Sequence, residues 1–257
     1  MPTRWLISRK EGFEMRRRIA RSPGGLASIE QRFIGDHRGA VIATAHSWFA
    51  AAVDVERGVL QFRDRHETRS APQRFVLYVP PRSIVRMPVL DATVSTTGWA
   101  GIGHLPRWPH VPLAVPFEGS LPPDLASLHN VLETADDACL AGADRGCPAR
   151  IVDSRNALLD SAYRPLPVGR VTRRQGWDPS VFSRAFKDAY GLSPRSYCQR
   201  LRVHDAMMML LTGVSIASAA FDVGFGDLSQ FYRQFRHVTG HAPGRYRSSV
   251  GDRASPP

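Results

Sequence analysis

The chain has little cysteine and almost no lysine. Its three cysteines, Cys139, Cys147 and Cys198, are too few and too irregularly spaced for a disulfide framework or a zinc site, which fits a reducing, cytoplasmic home. Lysine stands only at positions 10 and 187, so nearly all the basic charge is arginine, the residue suited to bidentate contacts with phosphate and guanine. No apolar run reaches the roughly 18 residues of a membrane-spanning helix. The arginine-rich N-terminus (MPTRWLISRKEGFEMRRRIARSPGG) has no continuous apolar segment behind its arginines, so it is a poor secretory signal. No histidine-rich or cysteine-rich cluster calls for a metal or another cofactor, and none is expected.

What is present is a sizeable core and an excess of positive charge. The 257 residues are 43% hydrophobic with five tryptophans, enough for two ordinary domains. The formal net charge of +11 favours an anionic partner such as nucleic acid. It is unevenly spread: from Arg150 onward basic residues outnumber acidic ones about two to one, whereas before it the two are nearly balanced.

The apolar pattern changes along the chain in the same way. Between Ile29 and Trp99 the runs AVIATAHSWF, AAVDV, VLQF, RFVLYV, IVRMPVL and ATVSTTGW are short and rich in Val, Ile, Phe and Thr, which predicts a β-rich barrel or sandwich. Residues 103–123 are proline-rich and read as extended chain and turns. SLHNVLETADDACLAG and PARIVDSRNALLDSAY then carry helical spacing, and nearly everything to Arg247 is helix broken by short turns. The expected organisation is α+β in two domains: a basic flexible tail over 1–25, a β-rich sensing domain over 26–120, and a helical linker or dimerisation element over 121–148. An all-α DNA-binding domain over 149–248 and a disordered tail over 249–257 complete it.

The helical half repeats one plan. In WDPSVFSRAFKDAYG, Asp178 stands before a helix, where its carboxylate accepts backbone N–H groups; in DVGFGDLSQFYRQF the helix starts near Gly226-Asp227, and each helix carries two phenylalanines four residues apart on the inner face. Gly176 and Gly224 mark the turns before these helices, which gives two helix-turn-helix units. SPRSYCQRLRVHDAMMMLL between them reads as one long amphipathic helix, spanning on the order of 30 Å, close to one turn of B-DNA.

FSRAFKDAYGLSPRSYCQRLRVHDAMMMLL and FDVGFGDLSQFYRQFRHVTGHAPGRYR resemble the DNA-binding domain of the AraC/XylS family of bacterial transcription regulators from Leu166 to Arg247. The terminal pattern at Gly240, Pro243, Tyr246 and Arg247 is included. Thr172 departs from the pattern, standing where a small Ala is usual. The resemblance implies base contacts from Ser180, Val181, Ser183 and Arg184 in one major groove and from Leu228, Ser229, Gln230 and Arg233 in the next. Lys187, Arg195 and Arg236 are then candidates for phosphate.

RFVLYVPPRSIV more faintly resembles the cupin-like sensing domain of such regulators, which implies a small-molecule effector and a homodimer. His37, His46, His66, His104 and His110 are scattered, and Ile84 or Val85 stands where a metal-ligating His would follow the Pro-Pro turn. A metal enzyme is therefore not expected. The implied function is sequence-specific regulation at promoter DNA, with RNA polymerase as a further partner. The alternative is an enzyme, cupin-type or a DNA-repair methyl transferase, with an appended DNA-binding domain.

Overall fold

In the computed structural model, residues 5–10, 12–22, 26–103, 105–133, 139–140, 142–164 and 167–252 are described. The first half is dominated by one antiparallel sheet. Its strands are β1 (Leu6–Lys10), β2 (Phe13–Ser22), β3 (Leu26–His37), β5 (Ser47–Arg63), β7 (Arg74–Val79), β9 (Val89–Ile102), β10 (Leu113–Pro116) and β11 (Cys139–Leu140), in the order β1-β2-β3-β9-β5-β7-β10-β11. Strand β6 (Thr68–Ser70) pairs with β5, and β4 (Val41–Ala43) with β8 (Ile84–Arg86) in a separate ribbon.

Both faces of the sheet are covered, which explains why its central strands read as nearly unbroken apolar runs. In β5, Ala51, Val53 and Val55 point to one face, while Trp48, Ala50 and Ala52 point to the other. Strand β7 divides in the same way, with Phe75, Leu77 and Val79 opposite Val76 and Tyr78. Helix α1 (Leu125–Glu133) lays Leu128 and Leu132 over the tryptophan-rich face. It is therefore a cover for the sheet, and β11 adds a strand beyond it. The expected linker over 121–148 is thus packed onto the first domain, although its residues 134–138 and 141 lie outside the described residues.

Two expected tails are partly structured. The basic segment 1–25 contains β1 and β2, with Leu6 and Ile19 buried. Its arginines hid a period-two pattern, because Arg16 and Arg18 alternate with inward positions and pair with Glu14 and Glu30. At the other end, β12 (Gly251–Asp252) pairs in parallel with Ala20–Arg21 of β2, while residues 253–257 lie outside the description.

The second half is helical: α2 (Ala149–Asp160), α3 (Pro167–Arg174), α4 (Pro179–Tyr190), α5 (Pro194–Leu211), α6 (Ile216–Asp222), α7 (Leu228–Thr239) and α8 (Pro243–Ser248). The two halves share their cores. Leu6, Ile19, Ala27 and Ile29 of the sheet pack with Val203, Leu210, Phe231 and Phe235. Ala43 and Ile84 of the β4–β8 ribbon pack with Leu158, Phe182, Phe186 and Leu201. Helix α5 contributes to both clusters. Arginines reinforce the junction: Arg21 Nε donates to the Leu211 carbonyl at 2.7 Å, Arg86 to those of Asp188 and Ala189, and Arg155 to that of Arg82 at 2.6 Å.

Candidate nucleic-acid interface

The two helix-turn-helix units are built from equivalent residues. Asp178 and Asp227, Phe182 and Phe231, Phe186 and Phe235, Gly191 and Gly240, Pro194 and Pro243, and Tyr197 and Tyr246 are separated by the same interval of about fifty positions. Asp178 accepts from the Ser180 and Val181 amides, and Asp227 accepts from the Gln230 amide. These bonds satisfy donors that the first turn leaves free, and a carboxylate there also opposes the positive end of the helix. The Ser180 N–H and O–H groups hold the Asp178 carboxyl below the usual carboxylate range. Gly191 and Gly240 end the two helices in the left-handed conformation.

Aromatic contacts fix each helix from behind. Phe186 meets Tyr197 at 5.5 Å between ring centroids, and Phe235 meets Tyr246 at the same 5.5 Å. All four are essentially inaccessible, as are Phe182 and Phe231. Burying such rings is worth on the order of 2–3 kcal/mol each, so the inner face is committed to the core. The outer face is left to the remaining residues.

An arginine holds each turn. In the first unit Arg150 donates to the Gln175 and Gly176 carbonyls and lies 3.8 Å over the Trp177 ring. In the second, Arg202 of α5 donates to the carbonyls of Ala162, Arg164 and Gly224. At Gly224 the backbone has a φ of +84°, and an added Cβ would fall 2.1 Å from the Tyr163 carbonyl oxygen. Only glycine fits that turn. Thr172 is buried and turns its hydroxyl back to Val168 and Gly169 of its own helix, so the side chain larger than Ala is accommodated there.

The sequence-derived contact residues fall on the outward faces. Ser180, Val181, Ser183, Arg184 and Lys187 of α4 are exposed, as are Leu228, Ser229, Arg233 and Arg236 of α7; Gln230 is half-buried. Arg195 is exposed in the first turn of α5. Among the described residues, Lys187, Arg195, Arg233 and Arg236 form no ion pair, so their charge faces solvent. Val181 at 44% and Leu228 at 38% exposure put apolar side chains in the first turns, where a folded monomer gains nothing from them. A thymine methyl is a fitting partner for such groups. Helix α5, with 18 residues, spans about 27 Å between the units.

Sequence reasoning missed part of this surface. Phe221 on α6 and Tyr232 on α7 are large exposed aromatics, 53% and 41% accessible, and Arg173 and Arg174 are exposed at the end of α3. Tyr232 follows Phe231 directly, so on a 3.6-residue period it must point away from the core. Phe221 gave no such signal in a run of small residues.

Residues 171–249 match the family described as a helix-turn-helix domain. These residues are an AraC-type helix-turn-helix domain. Similarity to curated relatives covers about a third of the chain. The regulator YobQ of Bacillus subtilis (strain 168), described as an uncharacterized HTH-type transcriptional regulator, is 31% identical over 91 residues, covering 34% of this chain and 37% of YobQ. The virulence regulon transcriptional activator VirF of Yersinia enterocolitica is 33% identical over 115 residues, covering 37% of this chain and 42% of VirF. The chain thus spans less than half the length of these relatives. Among solved structures, unsaturated fatty acid bound ToxT from Vibrio cholerae is similar at a TM-score of 0.48 and 12% identity, over 98% of this chain and 100% of that one.

Behind the helix-turn-helix domain, α5 meets the sheet through a polar cluster. Asp205 accepts from the Tyr163 hydroxyl, lies 2.9 Å from His46 Nδ1 and 3.3 Å from the Ser47 hydroxyl, while Ser47 also meets His204 Nδ1 at 2.9 Å. Burial and the neighbouring Asp205 carboxylate push the Tyr163 hydroxyl far above its ordinary value. Ser47 is wholly inaccessible, so this grouping of Ser, His and Asp joins domains and offers no open nucleophile. Burial also raises the Cys147 thiol and pushes that of Cys198 up to about 12, which makes both poor nucleophiles. The described residues hold no group of three or more potential metal ligands.

Proposed function

We propose that the chain is a sequence-specific transcription regulator that inserts α4 and α7 into successive major grooves of promoter DNA. The observation that carries this reading is the pair of equivalent helices, each capped by Asp, anchored by two buried phenylalanines and presenting an exposed first turn with an arginine one turn later. Arg184 and Arg233 would fork onto guanine, and Gln230 onto adenine. Lys187, Arg195 and Arg236 would hold phosphate and fix the register.

In this reading the β-rich half acts as a sensor for a small-molecule effector, and the chain works in the cytoplasm as a regulator without catalytic activity. Pairing of two copies and contact with RNA polymerase belong to the same proposal. The buried serine and the raised thiols support the non-catalytic part. Among the described residues, no helix is long and apolar enough to cross a membrane.

Footprinting on the DNA upstream of the chain's own gene tests the proposal. Two protected stretches on one face, separated by about one helical turn, are expected. A single short protected stretch, or protection without periodicity, would contradict insertion of both helices.

A further inference from the structure

The two helix-turn-helix units match in their turns as well as in their recognition helices. Gly176 and Gly224 both take a positive φ, +63° and +84°. The Gly176 amide donates to the Arg173 carbonyl and the Trp177 amide to that of Thr172. In the second unit the Gly224 amide donates to the Phe221 carbonyl and the Phe225 amide to that of Ala220. This shared backbone geometry aligns α3 with α6 residue by residue. The buried pair Val171 and Thr172 stands where Ala219 and Ala220 stand.

On the outer faces the likeness ends. Arg170, Arg173 and Arg174 of α3 occupy the places of Ser218, Phe221 and Asp222 of α6, and all six are exposed. From Ser161 to Trp177 the chain holds four arginines and no Asp or Glu. Among the described residues, Arg170, Arg173 and Arg174 form no ion pair. Arg173 Nε donates back to the Gly169 carbonyl of its own helix, at 3.1 Å.

Two bland reasons for this cluster fall short. Cations stabilise the dipole of a helix within its last turn, but Arg170 lies outside that turn, and α6 ends on an Asp instead. Solubility does not ask for clustering. Arg170 stands three and four residues before Arg173 and Arg174, spacings at which like charges on a helix repel. The folded monomer is therefore better off without the cluster, and a polyanion relieves it. In helix-turn-helix docking the first helix crosses the DNA backbone while the second lies in the groove.

We propose that α3 is a phosphate-binding face, with Arg170, Arg173 and Arg174 on the DNA backbone bordering the groove that α4 enters, and that α6 has no counterpart. This deepens the DNA-binding reading above and rests on it. The two units, alike in their recognition helices, then contribute unequally. The first supplies most of the sequence-independent attachment. The second reads bases with fewer phosphate contacts, because Asp222 repels phosphate at the matching place.

The test is the salt dependence of binding by the full chain to its own upstream DNA and to random duplex DNA. Each neutralised phosphate adds about 0.9 to the slope of log affinity against log salt. Joint replacement of Arg170, Arg173 and Arg174 by Ala should lower the slope by about two to three on both DNAs. Lys at the same positions should keep most of it. Alanine suits exposed helix positions, so the fold should hold, and circular dichroism checks it. As a control, Arg38→Ala, Arg57→Ala and Arg107→Ala together remove the same charge from the β-rich half and should lower the slope by less than about one. Phosphate-ethylation interference on the upstream DNA should show extra essential phosphates beside one half-site only, and the alanine variant should lose them. An unchanged slope, an equal fall in the control, or matching phosphates at both half-sites would overturn the proposal. An unchanged slope with preference for the upstream DNA intact removes the α3 face alone. A lowered slope without any such preference removes sequence-specific regulation and keeps the face.

Discussion

The Tyr163 hydroxyl donates to the Asp205 carboxylate, joining the turn after α2 to the middle of α5. His46 and Ser47 reach the same carboxylate from the sheet, so one side chain ties three parts of the chain together. Asp205→Ala leaves these donors without their acceptor and should cost about 2–4 kcal/mol in urea unfolding. Tyr163→Phe removes one bond and should cost about 1–2 kcal/mol.

The two glycines of the second turn give a matched pair. Gly224→Ala sets a Cβ against the Tyr163 carbonyl at a positive φ, and a loss of well over 1 kcal/mol is expected. Gly226→Ala meets nothing within 4 Å and should stay within about 0.5 kcal/mol of the parent. Similar losses at both positions in chemical denaturation would contradict the close approach.

Removing either helix cap should act on stability. Asp178→Ala and Asp227→Ala are each expected to cost about 1 kcal/mol, and Asn at either position should recover most of it. Thermal denaturation of the four variants checks this.

Stability should fall as the solution becomes acidic. Burial holds His204 and His241 below the ordinary histidine value of 6.5, with Arg17 adding to the lowering at both. Between that value and each folded pKa, the unfolded chain binds more protons than the folded one, so stability rises with pH there and is lost as pH falls. Melting temperatures from pH 7.5 to 5 should drop for the parent and drop less for His204→Gln. An unchanged slope in the variant would remove His204 from the account.

Base and phosphate contacts should separate in DNA binding. Arg184→Ala and Arg233→Ala should each cost about 1–3 kcal/mol at the cognate site and relax preference at one base position. Lys187→Ala and Arg236→Ala should weaken binding on all sequences alike and lower the salt slope by about one.

Much of the DNA-binding half was legible because its signals are local. An Asp cap, phenylalanines four apart, and a glycine at each turn sit within a dozen residues, and the outward positions follow by period. The β-rich half was legible as strands, but the tail containing β1 and β2 was not. Its inward residues alternate with arginines whose partners, such as Glu30 for Arg18, lie on the neighbouring strand. The Tyr163–Asp205 bond was invisible for the same reason. His46 meets Asp205 only after the sheet and α5 have packed.

The central claim is specific DNA recognition by two equivalent helices. Its most direct test is competition gel-shift of the full chain on its own upstream region against random DNA, at several salt concentrations. An affinity advantage of about a thousandfold or more for the upstream DNA is expected, with log affinity falling steeply against log salt. Equal affinity for the two DNAs under every condition, from a folded protein, would contradict it.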